Sequence, residues 1–122
     1  MAHARESAPR ECCGLLFGDG EVVDRLVRGR NVHPTPETRY EIDPAQLRQA
    51  IAGNDDTERT LVGIYHSHPA TKPEPSYTDI TNATLTWPAQ VYVLTSLRSE
   101  PPEVYAYRII GTEAKKIPIV ET

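Results

Sequence analysis

The sequence predicts an α+β fold, an α/β domain in which a mixed, largely antiparallel β-sheet is flanked by helices. Three observations support this prediction. Short apolar runs rich in β-branched and aromatic residues recur along the chain, such runs are joined by tight turns at both of its ends, and two stretches between them begin with helix-start signals. Terminal hairpins favour antiparallel neighbours, because a parallel pair needs a long crossover connection.

The first part of the chain predicts a β-hairpin. Residues 1–8 are compatible with a helix but too few to form a stable one alone. The apolar run CGLLFG at 13–18 and the run EVVDRLVR at 21–28 flank Asp19 and Gly20, a pair of residues typical of hairpin turns.

A loop, a short strand candidate and a helix follow the hairpin. Residues 29–38 are rich in Gly, Asn and Pro, which favours a loop, and 39–42 form the strand candidate. Asp43 before Pro44 is a helix-start signal, and apolar residues four apart predict a helix over 44–52 that stops at the following glycine.

The run LVGIYH at 61–66 predicts a well-buried strand. Residues 69–75 contain three prolines, which excludes regular structure there. Ser76 can then cap a helix that continues to about Leu85.

The last part of the chain predicts a second antiparallel pair of strands. The runs VYVLTSL at 91–97 and VYAYRII at 104–110 are separated by a turn that contains two prolines. Residues 116–120 are a candidate edge strand, since Pro118 is tolerated only at an edge.

Composition narrows the class of protein. A chain of 122 residues predicts a single domain, 1–122, and 13 basic against 17 acidic residues leave a net charge of -4, which argues against nucleic acid as a partner. No apolar run approaches the roughly 20 residues that span a bilayer, and no secretory signal is visible, so we expect no membrane partner and a cytoplasmic location. The adjacent Cys12 and Cys13 should stay reduced.

The candidate chemistry lies where the buried strand ends. His66 and His68 are two residues apart and therefore share one face of a strand, about 7 Å apart. Asp79 follows eleven residues after His68, in the first turn of the predicted helix, where the helix dipole favours its ionised form. Two histidines and one carboxylate match a catalytic zinc site, which keeps its fourth position for water. The same ligands also accept Fe²⁺, Mn²⁺ or Co²⁺.

Each part of this pattern has a plainer interpretation. A lone His-x-His pair on a strand is more often a surface or packing pair, and Ser76-x-x-Asp79 is also an ordinary capping box. The capping interpretation does not account for the two histidines, so the joint pattern favours a metal site.

The sequence HSHP at 66–69, followed by Ser76 and Asp79, resembles the JAMM (MPN+) metalloprotease motif. The resemblance extends to three further segments: PRECCGLL at 9–16, RYEIDP at 39–44 and VYVL at 91–94. It implies a JAMM/MPN core, similar to that of cytidine deaminases, with the family's N-terminal strand missing. Either the start of the sequence is placed too late, or another element must cover the sheet edge that the missing strand leaves open, and a homodimer would do so.

The resemblance also implies a set of roles. His66, His68 and Asp79 would bind Zn²⁺, Glu11 would act as the catalytic acid and base, and Ser76 would hydrogen-bond the oxyanion. The implied reaction is zinc-dependent hydrolysis of the amide bond after the C-terminal Gly-Gly of a ubiquitin-like sulfur-carrier protein, which releases cysteine, another amine or a short tail. Small stand-alone bacterial members of the family are the most similar in the motif region.

Two other functions stay open at this point. One is a non-catalytic MPN-type interaction module, which the presence of all three ligands disfavours. The other is a JAMM peptidase that acts on small cell-wall peptides; such proteins commonly have a second peptidase domain or are exported, and the sequence shows neither feature.

Overall fold

The computed structural model describes residues 2–19, 22–52, 60–86 and 90–120. In these residues three helices and six strands follow one another in an order that matches most of the predicted elements. They are α1 (Ala2–Ser7), β1 (Cys13–Asp19), β2 (Val22–Gly29), α2 (Pro44–Ala52), β3 (Thr60–His68), α3 (Tyr77–Thr86), β4 (Val91–Ser96), β5 (Glu103–Ile110) and β6 (Glu113–Ile117).

The strands form one sheet in the order β2-β1-β3-β4-β5-β6. The pairing is antiparallel except between β3 and β4, which run parallel and are connected through α3. The prediction of a mixed, largely antiparallel sheet is therefore confirmed. The parallel pair places the C-terminal ends of β3 and β4 side by side, with His68 opposite Ser96.

One face of the sheet is covered by α2, α3 and the loop before α2. Alternation along the strands directs large apolar side chains to this face, where they form the main core. Its buried members are Leu15, Phe17, Ile64, Tyr92 and Ile109, and the partly buried residues packed on them include Tyr40, Leu47 and Ile80.

The opposite face carries α1. Ala4 is buried against Cys12, Leu16 and Tyr65, and Nδ1 of His3 lies 2.7 Å from the hydroxyl of Tyr65. A helix of six residues is too short to be stable alone, so these tertiary contacts explain why the predicted marginal segment is helical. Both cysteines are buried and free, in agreement with the prediction of reduced thiols.

The helix starts agree with the sequence. The Asp43 carboxylate accepts a hydrogen bond from the Ala45 amide (3.0 Å), so it caps α2 as predicted. The predicted stop at Gly53 and the turn residue Gly20 lie outside the described residues. No helix in the described part of the chain is long and apolar enough to span a membrane.

Two predicted strands differ in the structure. The strand predicted at 39–42 is wrong: this segment forms a single bridge, between Ile42 and Asn31. Its main-chain pairing is limited to two bonds, from the Val32 amide to the Glu41 carbonyl (2.9 Å) and from the Asp43 amide to the Arg30 carbonyl (2.9 Å). The Asn31 side chain adds to them, because it accepts from the amide of Glu41 (3.1 Å) and donates to the carbonyl of Arg39 (3.0 Å).

The last strand begins and ends earlier than predicted. It spans Glu113–Ile117, whereas the prediction was 116–120. It pairs with β5 up to Ile117, which lies opposite Ala106 and just before Pro118. Proline has no amide hydrogen for the ladder, which explains why pairing stops there. The strand order places β2 and β6 at the two edges of the sheet. That a homodimer covers one of these edges remains a prediction.

Candidate metal centre

The two histidines lie at the C-terminal end of β3, on the face of the sheet that α3 covers. His66 and His68 are almost fully buried, with 2% and 5% of their surface exposed. Their ring centroids are 5.1 Å apart and the rings are steeply inclined to each other. The structure therefore brings both imidazoles to one point, as the His-x-His spacing on a strand predicts.

Asp79 reaches the same point from the first turn of α3. Its Oδ2 atom lies 3.2 Å from Nε2 of His66 and 3.1 Å from Nε2 of His68. The same oxygen accepts a hydrogen bond from the Ser76 amide (2.9 Å), and the Asp79 amide donates to the Ser76 hydroxyl (3.1 Å). The capping box and the contact with the histidines thus coexist, and the cap orients the carboxylate toward the rings.

The proline-containing loop between His68 and Ser76 is held to the sheet by main-chain acceptors. The Lys72 carbonyl lies 2.9 Å from Nδ1 of His68. The Tyr107 hydroxyl donates to the Pro73 carbonyl (2.5 Å), and the Ser96 hydroxyl donates to the Thr71 carbonyl (2.5 Å). These bonds give an irregular segment a defined position beside the histidines.

Glu11 joins the cluster from a distant part of the sequence. It lies two residues before β1 begins at Cys13, and the pairing of β1 with β3 places Cys13 opposite His66. Glu11 is 4% exposed, and its carboxylate and the imidazole nitrogens of His66 and His68 offer ligand atoms that all lie within 4.8 Å of one another. The backbone amide of Glu11 donates to the Pro36 carbonyl (2.7 Å), which holds the residue from its other side.

Burial and mutual contact shift the protonation of these groups. Burial raises the pKa of Glu11 to about 7, although the nearby His68 opposes this. Burial alone would raise the pKa of Asp79, but the adjacent imidazoles hold it well below its ordinary value. Burial alone would lower the pKa of His68, and the contacts with Asp79 and the Lys72 carbonyl raise it overall. The site combines an ionised Asp79 with a Glu11 whose pKa is close to neutral pH.

The donor atoms at this site fit a divalent metal ion. Within the described residues, Nδ1 of His66 and Oε1 of Glu11 are buried without a hydrogen-bond partner, and Nε2 of His66 has only the 3.2 Å contact with Oδ2 of Asp79. Buried polar atoms without partners normally cost free energy. His68 donates from Nδ1 to the Lys72 carbonyl, so when its ring is neutral the lone pair on Nε2 faces Oδ2 of Asp79, and a cation between these two atoms would bind both. Ligands around a tetrahedral zinc lie about 3.3 Å apart, close to the separations of 3.1 and 3.2 Å from Asp79 to the histidines.

All five residues that the sequence singled out lie at this centre. His66, His68, Asp79 and Glu11 converge directly. Ser76 is exposed at the edge of the cluster, and its oxygen accepts from the Asp79 amide, so its own hydrogen remains available to a further acceptor.

Sequence reasoning missed three further residues that shape the site. The Tyr40 ring is stacked on His66, with centroids 4.5 Å apart. The Ser67 hydroxyl accepts from the Cys12 amide (2.8 Å), and the Asn31 amide group donates to the Glu11 carbonyl (3.0 Å). Ser67 and Tyr40 fall inside segments that resemble the JAMM family, but no chemical signal in the sequence indicated these contacts.

Comparison with known proteins gives consistent results. The profile of the family described as prokaryotic homologs of the JAB domain matches residues 1–110. The desampylase of Haloferax volcanii is 37% identical over 102 residues, which cover 79% of this chain and 72% of that protein. The CysO-cysteine peptidase of Mycobacterium tuberculosis is 34% identical over 122 residues, which cover 98% of this chain and 82% of that protein.

Solved structures show the same similarity. Protein DSY2949 from Desulfitobacterium hafniense superposes with a TM-score of 0.85 at 29% identity, covering 98% of this chain and 83% of that one. The JAB1/MPN domain protein AF2198 from Archaeoglobus fulgidus has a TM-score of 0.59 at 19% identity, covering 95% and 83%. The second likeness concerns the fold alone, and it agrees with the predicted JAMM/MPN core.

Proposed function

The chain belongs to the family of prokaryotic homologs of the JAB domain, and from this premise we propose that it is a zinc-dependent peptidase acting on a ubiquitin-like carrier protein. It hydrolyses the amide bond after the carrier's C-terminal Gly-Gly and releases cysteine, another amine or a short tail. The observation that supports this proposal most directly is that Glu11, His66 and His68 offer ligand atoms within 4.8 Å of one another, while Oδ2 of Asp79 contacts both histidines.

The names of the relatives indicate the substrate class. They are a desampylase, a CysO-cysteine peptidase and, in Thermus thermophilus, a probable protease that cleaves TtuB-protein conjugates, the last 42% identical over 82 residues. These names describe cleavage of small protein conjugates or adducts. We therefore propose a ubiquitin-like sulfur-carrier protein as the partner. We also propose the cytoplasm as the location.

In the proposed mechanism His66, His68 and Asp79 hold zinc. Zinc bound there supplies a Lewis acid and lowers the pKa of water to about 7. The Glu11 carboxylate takes a proton from the attacking water and transfers it to the departing amine. The Ser76 hydroxyl, whose hydrogen is not used in the capping box, donates to the carbonyl oxygen as negative charge develops on it.

The environment of Glu11 suits a group that must both accept and donate a proton. In the metal-free chain burial raises its pKa to about 7. A bound dication would lower this pKa and favour the carboxylate that accepts the proton from water, whereas burial favours the protonated form that serves the leaving amine. An exposed glutamate would hold its proton too weakly to serve the leaving amine. The burial of Glu11 against the two histidines is thus part of the proposed chemistry.

The experiment that tests this function uses carrier proteins of the host, each extended beyond Gly-Gly by cysteine or a short peptide. We expect the purified protein to bind about one equivalent of zinc and to remove the extension, which mass spectrometry reads directly. Glu11→Gln should retain zinc and lose at least a hundredfold in kcat, in line with the usual contribution of a general acid–base group. Glu41→Gln, an exposed glutamate in a nearby loop, is the matched control.

Two results would contradict the proposal. Full activity of Glu11→Gln would refute the assigned mechanism. Cleavage of cell-wall peptides with no cleavage of any carrier adduct would favour the alternative peptidase function.

A further inference from the structure

The two histidines of the centre are oriented in different ways. A histidine that binds a metal through one nitrogen usually donates the other N–H to an acceptor, which fixes the plane of the ring. His68 follows this rule, since its Nδ1 lies 2.9 Å from the Lys72 carbonyl. His66 does not: in the described part of the chain its Nδ1 has no hydrogen-bond partner, although the residue is 2% exposed, and its Nε2 has only the 3.2 Å contact with Oδ2 of Asp79.

Aromatic contacts surround the His66 ring instead. The Tyr40 ring is stacked on it, with a centroid separation of 4.5 Å and an angle of 24° between the planes. The His68 ring meets it edge-on at 5.1 Å and 65°. A ring stacked on one face cannot turn about its Cβ–Cγ bond without losing that contact. Stacking therefore restrains the same rotation that a hydrogen bond at Nδ1 would restrain.

We propose that Tyr40 is a positioning residue, which holds the His66 imidazole in its metal-binding orientation by stacking on it. The inference rests on the assignment of His66 as a metal ligand in the proposed function. Tyr40 would touch neither the metal nor the substrate, and its effect would pass entirely through His66.

The backbone on both sides of Tyr40 is held by the Asn31 side chain, and the Glu41 carbonyl also accepts from the Val32 amide (2.9 Å). The Asn31 Nδ2 group donates to the Arg39 carbonyl (3.0 Å), and Asn31 Oδ1 accepts from the Glu41 amide (3.1 Å). The same Nδ2 group donates to the Glu11 carbonyl (3.0 Å). Asn31 thus ties the segment that presents Tyr40 to the residue proposed as the acid and base, so that His66 and Glu11 share one support.

Ordinary core packing is the competing explanation for Tyr40. The residue is half-buried and packs against the main core. If packing were its whole role, an aliphatic residue of similar bulk would leave the metal affinity unchanged. If stacking orients His66, an aromatic ring is needed and the hydroxyl is not. Tyr40→Phe and Tyr40→Leu therefore separate the two explanations.

The test measures zinc affinity by competition with a chromogenic chelator and records the visible spectrum of the Co²⁺-substituted protein. We expect Tyr40→Phe to bind zinc within about threefold of the wild type. Tyr40→Leu should bind about 10- to 100-fold more weakly, the usual effect of losing an orienting partner of a ligand, and its Co²⁺ spectrum should change. Phe17→Leu removes an aromatic ring from the same core at the far part of β1 and should leave zinc affinity unchanged.

The outcomes are separable from those of the proposed function. Wild-type protein that binds no metal would overturn the proposed function and this inference with it. Wild-type protein that binds zinc, with Tyr40→Leu binding it equally tightly or Tyr40→Phe as weakly as Tyr40→Leu, would overturn the positioning role alone. Thermal unfolding of the metal-free variants verifies that they fold. Should Tyr40→Leu not fold, Tyr40→Met replaces it, because an unbranched side chain fills irregular gaps.

Discussion

Cys12 and Ser67, which are 55 positions apart, are joined by two hydrogen bonds. The Cys12 amide donates to the Ser67 hydroxyl (2.8 Å), and the Ser67 amide donates to the Cys12 carbonyl (3.1 Å). Ser67 is fully buried and lies between the two histidines in sequence, while Cys12 directly follows Glu11. This pair of bonds sets the position of Glu11 relative to His66 and His68.

Replacing Ser67 should therefore impair catalysis more than metal binding. Ser67→Ala leaves the buried amide of Cys12 without its acceptor, which should cost about 1–3 kcal/mol in the free energy of unfolding. We expect zinc content to stay near one equivalent and kcat to fall, since Glu11 loses its support. Steady-state kinetics and metal analysis measure the two effects, with Ser99→Ala in the β4–β5 turn as the control. An unchanged kcat would show that the pair does not position Glu11.

The metal-free protein should become less stable as the pH rises through neutrality. Burial raises the pKa of Glu11 from 4.5 to about 7, so the folded chain binds this proton more tightly than the unfolded chain does. The stabilisation is complete below about pH 4.5 and is lost as the pH rises through 7. At 1.36 kcal/mol per pKa unit, it amounts to about 3 kcal/mol at most. The raised pKa of His68 acts in the same direction.

Urea denaturation of chelator-treated protein at pH 5 and pH 8 measures this dependence. Asp79 does not disturb the comparison, because its lowered pKa affects stability only in more acidic solution. Glu11→Gln, which has no ionisable group at this position, should show a clearly smaller difference between the two pH values. Equal pH dependence in both proteins would mean that Glu11 is not buried in the way described.

The loop between His68 and Ser76 should depend on Tyr107. The Tyr107 hydroxyl donates to the Pro73 carbonyl, so Tyr107→Phe should lower the free energy of unfolding by about 0.5–1.5 kcal/mol. Zinc affinity should fall by roughly 3- to 10-fold, because the same loop presents the Lys72 carbonyl that orients His68. Lys72→Ala should leave affinity unchanged, since that contact uses the main chain. Loss of affinity in Lys72→Ala, with none in Tyr107→Phe, would contradict this description.

Gly14 is required by close packing on the face of the sheet that α1 covers. A Cβ atom at this position would lie 2.2 Å from a ring carbon of Tyr65, which is buried and in contact with His3. We expect Gly14→Ala to reduce the free energy of unfolding by about 1–3 kcal/mol. Gly29→Ala, where the nearest atom would be 3.0 Å away, should cost less. Thermal unfolding compares the two variants, and a Gly14→Ala protein as stable as the wild type would show that Tyr65 packs differently.

The sequence by itself determined the parts of the site that depend on local geometry. A strand places residues i and i+2 on one face, so the spacing of His66 and His68 was sufficient to predict that their rings converge. The capping box between Ser76 and Asp79 follows from helix geometry in the same way. The prediction of a mixed sheet with flanking helices was also correct, because the alternation of apolar residues and the helix-cap signals depend on residues that are close together in sequence.

The tertiary structure alone decided the contacts between distant segments. The position of Glu11 depends on the pairing of β1 with β3, and the chemistry of a glutamate does not distinguish it from other carboxylates; the resemblance to the JAMM family singled it out. The segment at 39–42 was predicted as a strand, yet it forms only one bridge, and the Asn31 side chain bonds to its backbone on both sides of Tyr40, whose ring stacks on His66. A side chain that bonds to a loop backbone leaves no periodic signal, because its bonds join residues whose separation in sequence follows no regular spacing.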